Sequence, residues 1–84
     1  MEVQIEELIR GCHGMLSANE TSEIHEFIDG GQYALALEAL CDCLVDENKH
    51  VSGELYYRIH TLVQQLDGVD PYVIERLRDV VRHD

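Results

Sequence analysis

The chain has 84 residues, of which 17 are acidic and six are basic, so its formal net charge at pH 7 is −11. This excess of carboxylates disfavours direct binding to nucleic acid or to an anionic membrane, because both require Lys and Arg to contact phosphates. No segment reaches the roughly 20 apolar residues that a membrane span needs, and no basic region followed by an apolar run marks a signal peptide. We expect one domain, residues 1–84, with a single modest core.

The first two predicted helices are each bounded by local signals. The first has one apolar face, made of Ile5, Leu8, Ile9, Cys12 and Met15. We expect it to end near His13, with Gly14 as its C-cap. The second begins at a capping box from Ser17 to Glu20 and stops at Gly30-Gly31, because glycine adopts the left-handed conformation at low cost.

The third predicted helix, from about Gln32 to Glu47, is the most apolar segment of the chain. Its polar side is a stripe of carboxylates spaced four residues apart, Glu38, Asp42 and Asp46. A helix that is apolar around most of its circumference is expected at the centre of a bundle. Like charges at this spacing repel each other, and no Lys or Arg between residues 20 and 48 compensates them, so the fold gains nothing obvious from the stripe.

Two more helices follow a polar connection at residues 48–51. Ser52 is the expected cap of the fourth helix, which closes at Gly68. Asp70 and Pro71 open the fifth, with the aspartate at the cap and the proline at the first helical position. Its predicted buried face is made of Val73, Ile74, Leu77, Val80 and Val81. With no alternating strand pattern, the fold class is all-α, a compact bundle of four to five short helices.

No residues form a recognisable catalytic or metal-binding pattern. Cys41 and Cys43 diverge on their helix, so together with His50 they make a poor zinc site. None of the five histidines has the spacing of a known ligand pair, and no glycine-rich phosphate loop is present. We predict a protein that is not an enzyme and has no catalytic residue, metal or cofactor. The odd number of cysteines indicates a reducing compartment, the cytoplasm.

The segment from residue 20 to residue 47 is the strongest indication of a partner. It contains eight carboxylates and no basic residue, whereas an ordinary solvated helix mixes both signs. A surface of one sign speeds the capture of an oppositely charged protein. A solvated surface without function is the competing interpretation. The predicted partner-binding residues are Glu23, Glu26, Asp29, Glu38, Asp42 and Asp46, with Tyr57 as the aromatic anchor and the only tyrosine expected to be largely exposed.

The chain resembles the MafI-type immunity proteins of bacterial polymorphic toxin systems, which are similar to contact-dependent growth inhibition systems. The resemblance lies in two segments, FIDGGQYALALEALCD at 27–42 and VSGELYYRI at 51–59. Gln32 departs from the pattern, since the family commonly has Glu there. The resemblance implies a single helical immunity-like domain that binds and neutralises the toxin domain of its own system, often a nuclease. It transfers no contact residues, because these vary with the toxin.

The residues and the resemblance together predict an immunity protein that occludes a basic nuclease toxin domain with an acidic helical surface. One alternative is an acidic helical adaptor or regulator that binds a basic host protein. Another is a self-assembling structural domain, in which apolar area on the fourth and fifth helices forms a homodimer. The sequence leaves both a monomer and a homodimer open.

Overall fold

A computed structural model of the chain describes residues 1–12, 14–46 and 51–82. Over these ranges the fold is all-α, as predicted, with five helices. Their bounds are α1 Glu2–Gly11, α2 Ala18–Asp29, α3 Tyr33–Asp46, α4 Gly53–Gln65 and α5 Pro71–Arg78. The expectation that Gly14 is the C-cap of the first helix is wrong, because α1 ends at Gly11 and its C-cap is Cys12. The predicted helix ends at His13 and Glu47, and the connection at 48–50, lie outside the described residues.

Three helices begin at the caps that the sequence predicts. Ser17 Oγ accepts a hydrogen bond from the Glu20 amide at 3.1 Å, and Glu20 Oε1 accepts one from the Ser17 amide at 2.8 Å, which completes the capping box. Ser52 Oγ accepts from the amide of Leu55 at 3.1 Å. Asp70 Oδ1 accepts from the amide of Tyr72 at 3.0 Å. Each bond satisfies an amide that has no partner within its own helix, so the start of each element is set locally.

The turn between α2 and α3 depends on Gly31. Its φ of 74° lies in the left-handed region, which a residue with a Cβ adopts only at a cost. The amide of Gln32 donates to the carbonyl of Phe27 at 2.8 Å across this turn. The predicted stop at Gly30-Gly31 is therefore confirmed, and it sends α3 back along α2.

Helix α3 is the centre of the bundle, as its composition predicts. Five of its residues are completely buried: Ala36, Leu37, Leu40, Cys41 and Leu44. The helix packs against each of the other four helices. Burying these apolar side chains is the main stabilising contribution to the fold.

A short parallel strand pair is the only β-structure in the described part of the chain. Val51 and Ser52 (β1) pair with Val81 and Arg82 (β2). The expectation that Val80 and Val81 continue the buried face of the fifth helix is wrong, because α5 ends at Arg78. Two residues are too few to show a strand period in a sequence. The pair joins the start of α4 to the segment that follows α5.

Candidate functional site: an acidic groove

A groove of about 720 Å³ lies between α2, α3 and α5. We call it the acidic groove. Among the described residues that line it, one side chain is cationic, Arg76, and six are carboxylates: Glu20, Glu23, Glu38, Asp42, Asp46 and Asp70. The rest of the lining is mainly apolar or aromatic: Ile24, Phe27, Leu35, Ala39, Val73, Tyr72 and Cys43. The groove thus combines an excess of five negative charges with an apolar floor.

Helical spacing brings the lining residues of α3 together. Leu35, Glu38, Asp42 and Asp46 follow one another at three or four residues, so they share one side of the helix. This side lies opposite the completely buried one, and Leu35 is 44% exposed. The predicted acidic stripe is therefore one wall of the groove.

Arg76 of α5 neutralises part of this stripe. Its Nη1 donates to Asp42 Oδ1 at 3.2 Å and its Nη2 donates to Asp46 Oδ1 at 3.1 Å. The guanidinium carbon also lies 6.0 Å from the centre of the Tyr72 ring, within the range of a cation–π contact. The sequence-based interpretation that the stripe has no compensating charge and no role in the fold is wrong, because the basic residue comes from a helix 30 or more positions later.

Glu38, the first residue of the stripe, also connects α3 to α5. Its side chain is half-buried, and Oε1 accepts a hydrogen bond from the backbone amide of Asp70 at 3.3 Å. Asp70 is itself the cap of α5. Glu38 and Arg76 therefore hold the two ends of α5 against α3, and the acidic stripe has a structural role as well as a candidate binding role.

The structure places the predicted partner-binding residues in three locations. Four of them line the acidic groove: Glu23, Glu38, Asp42 and Asp46. Glu26 and Asp29 are exposed on α2 outside this lining, and Asp29 follows Glu20 by about two and a half turns, on the opposite side of the helix. Tyr57 is 69% exposed, as predicted, but it lines a different groove between α1 and α4.

Sequence reasoning missed the aromatic and apolar part of the acidic groove. Tyr72 is 61% exposed, so the expectation that Tyr57 is the only largely exposed tyrosine is wrong. The sequence does contain a signal for the exposure of Tyr72. This residue precedes the buried positions Val73 and Leu77 of α5 and lies off their apolar stripe. Phe27 of α2 is half-buried and lines the groove.

The cysteines have different surroundings. Cys12 and Cys41 are completely buried, as expected of small core residues. Burial raises the pKa of the Cys12 thiol to about 11, against a smaller lowering by Arg58. Burial, assisted by the nearby Asp42, raises the pKa of Cys41 to about 12. Both thiols therefore stay protonated at neutral pH, while the half-buried Cys43 lines the acidic groove.

Within the described ranges, no three His, Cys, Asp or Glu side chains are grouped so that they could hold a metal ion. In the same part of the chain, no helix is long and apolar enough to cross a membrane. The lining of the acidic groove offers charge attraction by its carboxylates and apolar contact by its floor.

No family model, curated protein or solved structure matches this chain. The acidic groove and the sequence resemblance are the two observations that bear on function.

Proposed function

We propose that this protein is a cytoplasmic immunity protein of a bacterial polymorphic toxin system, and that it neutralises a basic nuclease toxin domain by occlusion. The observation that carries the proposal is the acidic groove, in which six carboxylates surround an apolar floor. A nuclease cleft is positively charged because it binds phosphates. An acidic groove complements such a cleft, and the protein needs no catalytic group of its own to block it.

Glu23 is the clearest candidate for a direct contact. It is exposed at the groove, and its carboxylate makes no hydrogen bond or ion pair within the described part of the chain. Asp42 and Asp46, in contrast, already bind Arg76. A Lys or Arg of the toxin can therefore pair with Glu23 without breaking an existing interaction of the fold.

The apolar residues of the groove supply contact area that charge alone lacks. Leu35 and Tyr72 are 44% and 61% exposed, and both line the groove. Aromatic anchors at the centre of an interface contribute much of its binding energy, and well-packed neighbours exclude water from them, while peripheral charges mainly set the association rate. We infer that charge guides the toxin domain to the groove and that Leu35 and Tyr72 then slow its dissociation.

The test is binding to the toxin domain encoded by the gene immediately upstream, with association rates measured at increasing salt. Glu23→Lys reverses one groove charge and is expected to slow association several-fold. The matched control is Asp29→Lys, on the opposite side of α2, which is expected to have a much smaller effect. Reversing Asp42 and Asp46 is less informative, because it also removes the ion pairs with Arg76.

A one-to-one complex that weakens with salt and abolishes the toxin's nuclease activity would support the proposal. If Glu23→Lys and Asp29→Lys slow association equally, capture depends on overall charge and the groove is not the binding site. If the upstream product does not bind and a basic host protein does, the acidic adaptor is the better description.

A further inference from the structure

A second, smaller groove lies between α1 and α4. It has a volume of about 220 Å³ and is lined by Gln4, Glu7, Leu8, Tyr57, Arg58, Thr61 and Leu62. None of these residues lines the acidic groove. We call it the α1–α4 groove.

Two of the most exposed large apolar side chains of the described chain lie at this groove or beside it. Tyr57 is 69% exposed and lines it, and Val3 is 64% exposed. Val3 precedes Glu7 by four residues, so both lie on the same side of α1. Tyrosine is enriched among the residues that contribute most to binding at protein interfaces.

One polar group of this groove, the hydroxyl of Thr61, does not oppose burial by a partner. The hydroxyl of Thr61 donates to the backbone carbonyl of Tyr57 at 2.9 Å, within α4. A partner that covers Thr61 therefore leaves no unsatisfied hydroxyl donor, which would otherwise oppose binding. This part of α4 thus presents an apolar anchor whose polar neighbour already has its hydrogen bond.

The charges of the α1–α4 groove distinguish it from the acidic groove. It contains one carboxylate, Glu7, and one guanidinium, Arg58, so its lining is neutral in a chain of net charge −11. A basic partner gains little here. A second copy of the chain, rotated by a two-fold axis, can place Glu7 of each copy opposite Arg58 of the other.

We propose that the α1–α4 groove binds a second copy of this chain, forming a two-fold dimer with Tyr57 at its centre and two reciprocal Glu7–Arg58 pairs. The acidic groove lies outside this contact, so each dimer presents two acidic grooves. Because the groove is small and the two copies repel each other through their net charge, we expect the dimer to dissociate on dilution. In this dimer the contact is formed by α1 and α4, whereas the sequence-based alternative places it on the fourth and fifth helices.

Sedimentation equilibrium of the purified chain from micromolar to millimolar concentration tests the dimer. We expect the average mass to rise from monomer to dimer over this range. Tyr57→Ala is expected to weaken dimerisation at least about tenfold. Tyr72→Ala, at the acidic groove, is the matched control and should leave dimerisation unchanged. A wild-type chain that stays monomeric at millimolar concentration would overturn the proposal.

Charge reversal tests the two-fold pairing itself. Glu7→Arg and Arg58→Glu each place like charges opposite each other twice in a dimer, so each variant alone should remain monomeric. Mixed together they should form a heterodimer, because the introduced cation of the first variant then faces the introduced carboxylate of the second, while the other pair is native. Thermal melts of each variant establish that it is folded. Folded variants that dimerise alone, or that fail to associate when mixed, would contradict the proposed geometry.

These experiments use the chain without a toxin, so their outcome is independent of the proposed function. If Tyr57→Ala weakens binding to the upstream toxin domain while the chain is monomeric throughout, the α1–α4 groove is part of the toxin interface and the dimer proposal fails.

Discussion

The acidic groove has six carboxylates and one guanidinium in its lining, whereas the α1–α4 groove has one of each. We therefore expect the first to attract a cationic partner from a distance. The proposed dimer places a copy of the same chain at the second, where the lining has no excess of like charge. A protein that is acidic as a whole can in this way keep a surface suited to its own copy separate from one suited to a basic partner.

The two grooves are also held together by different interactions. One wall of the acidic groove is attached through polar contacts, the Arg76 pairs and the Glu38 bond to the backbone of Asp70. The floor of the α1–α4 groove contains the buried side chains of Leu8 and Leu62. Salt should therefore disturb the first groove more than the second, since it screens charge and leaves apolar burial largely intact.

The largest expected effect on stability comes from truncating one side chain of the core that both grooves share. Leu40→Ala truncates a completely buried side chain of α3, so we expect it to lower the free energy of unfolding by about 2–5 kcal/mol. Leu35→Ala, on the exposed side of the same helix, should cost less than about 1 kcal/mol. Urea unfolding of both variants measures the difference, and equal losses would mean that α3 is not the centre of the bundle.

An intermediate effect is expected from each pH unit above 9, because alkaline pH acts on the packing of α1 against α3. The pKa values of Cys12 and Cys41 are raised by folding from 9.0 to about 11 and about 12. Above pH 9 the unfolded chain releases these protons while the folded chain retains them. The stability that is fully present below pH 9 is therefore lost as pH rises toward 11–12, by at most about 1.4 kcal/mol per pH unit for each thiol.

Urea unfolding at several pH values above 9 checks this prediction. Cys41→Ala serves as the matched variant, because it removes one of the two thiols and should make the pH dependence shallower. An unchanged pH dependence in that variant would show that the loss does not come from the Cys41 thiol.

The smallest expected effect concerns the attachment of α5 at the acidic groove. The side chains of Arg76, Asp42 and Asp46 are 34%, 50% and 68% exposed, so solvent weakens their pairing. Arg76→Ala should therefore cost about 1 kcal/mol or less at low salt, and less again at high salt. Arg78→Ala, an exposed neighbour on the same helix, is the control. A loss of several kcal/mol that salt does not reduce would show that Arg76 acts mainly through apolar packing.

Most of the helices could be predicted from the sequence, because the signals that start and stop them are local. Ser17, Ser52 and Asp70 cap helices whose first residues follow immediately, and Gly31 turns the chain between two adjacent helices. The central position of α3 could also be predicted, since its apolar circumference leaves it no other stable environment. The two-residue strands and the early end of α5 were missed, because so short a pairing leaves no period in the sequence.

The acidic groove could be predicted only in part. The spacing of Glu38, Asp42 and Asp46 places them on one side of a helix. Of the three α2 carboxylates that the sequence grouped with them, Glu23 lines the same groove, whereas Glu26 and Asp29 do not. The role of Arg76 and the exposure of Tyr72 at that groove were missed. For Tyr57 the exposure was predicted, but its position at the α1–α4 groove was missed.

Caps, turns and apolar stripes join residues that are a few positions apart, so the sequence alone decides where the helices lie and which side of each is buried. Whether a charge is compensated depends on what lies opposite it in space, and Arg76 reaches its two carboxylates across 34 and 30 positions of chain. Only the packing of α5 against α3 brings these groups within hydrogen-bonding distance. The same packing turns an isolated acidic stripe into one wall of a groove.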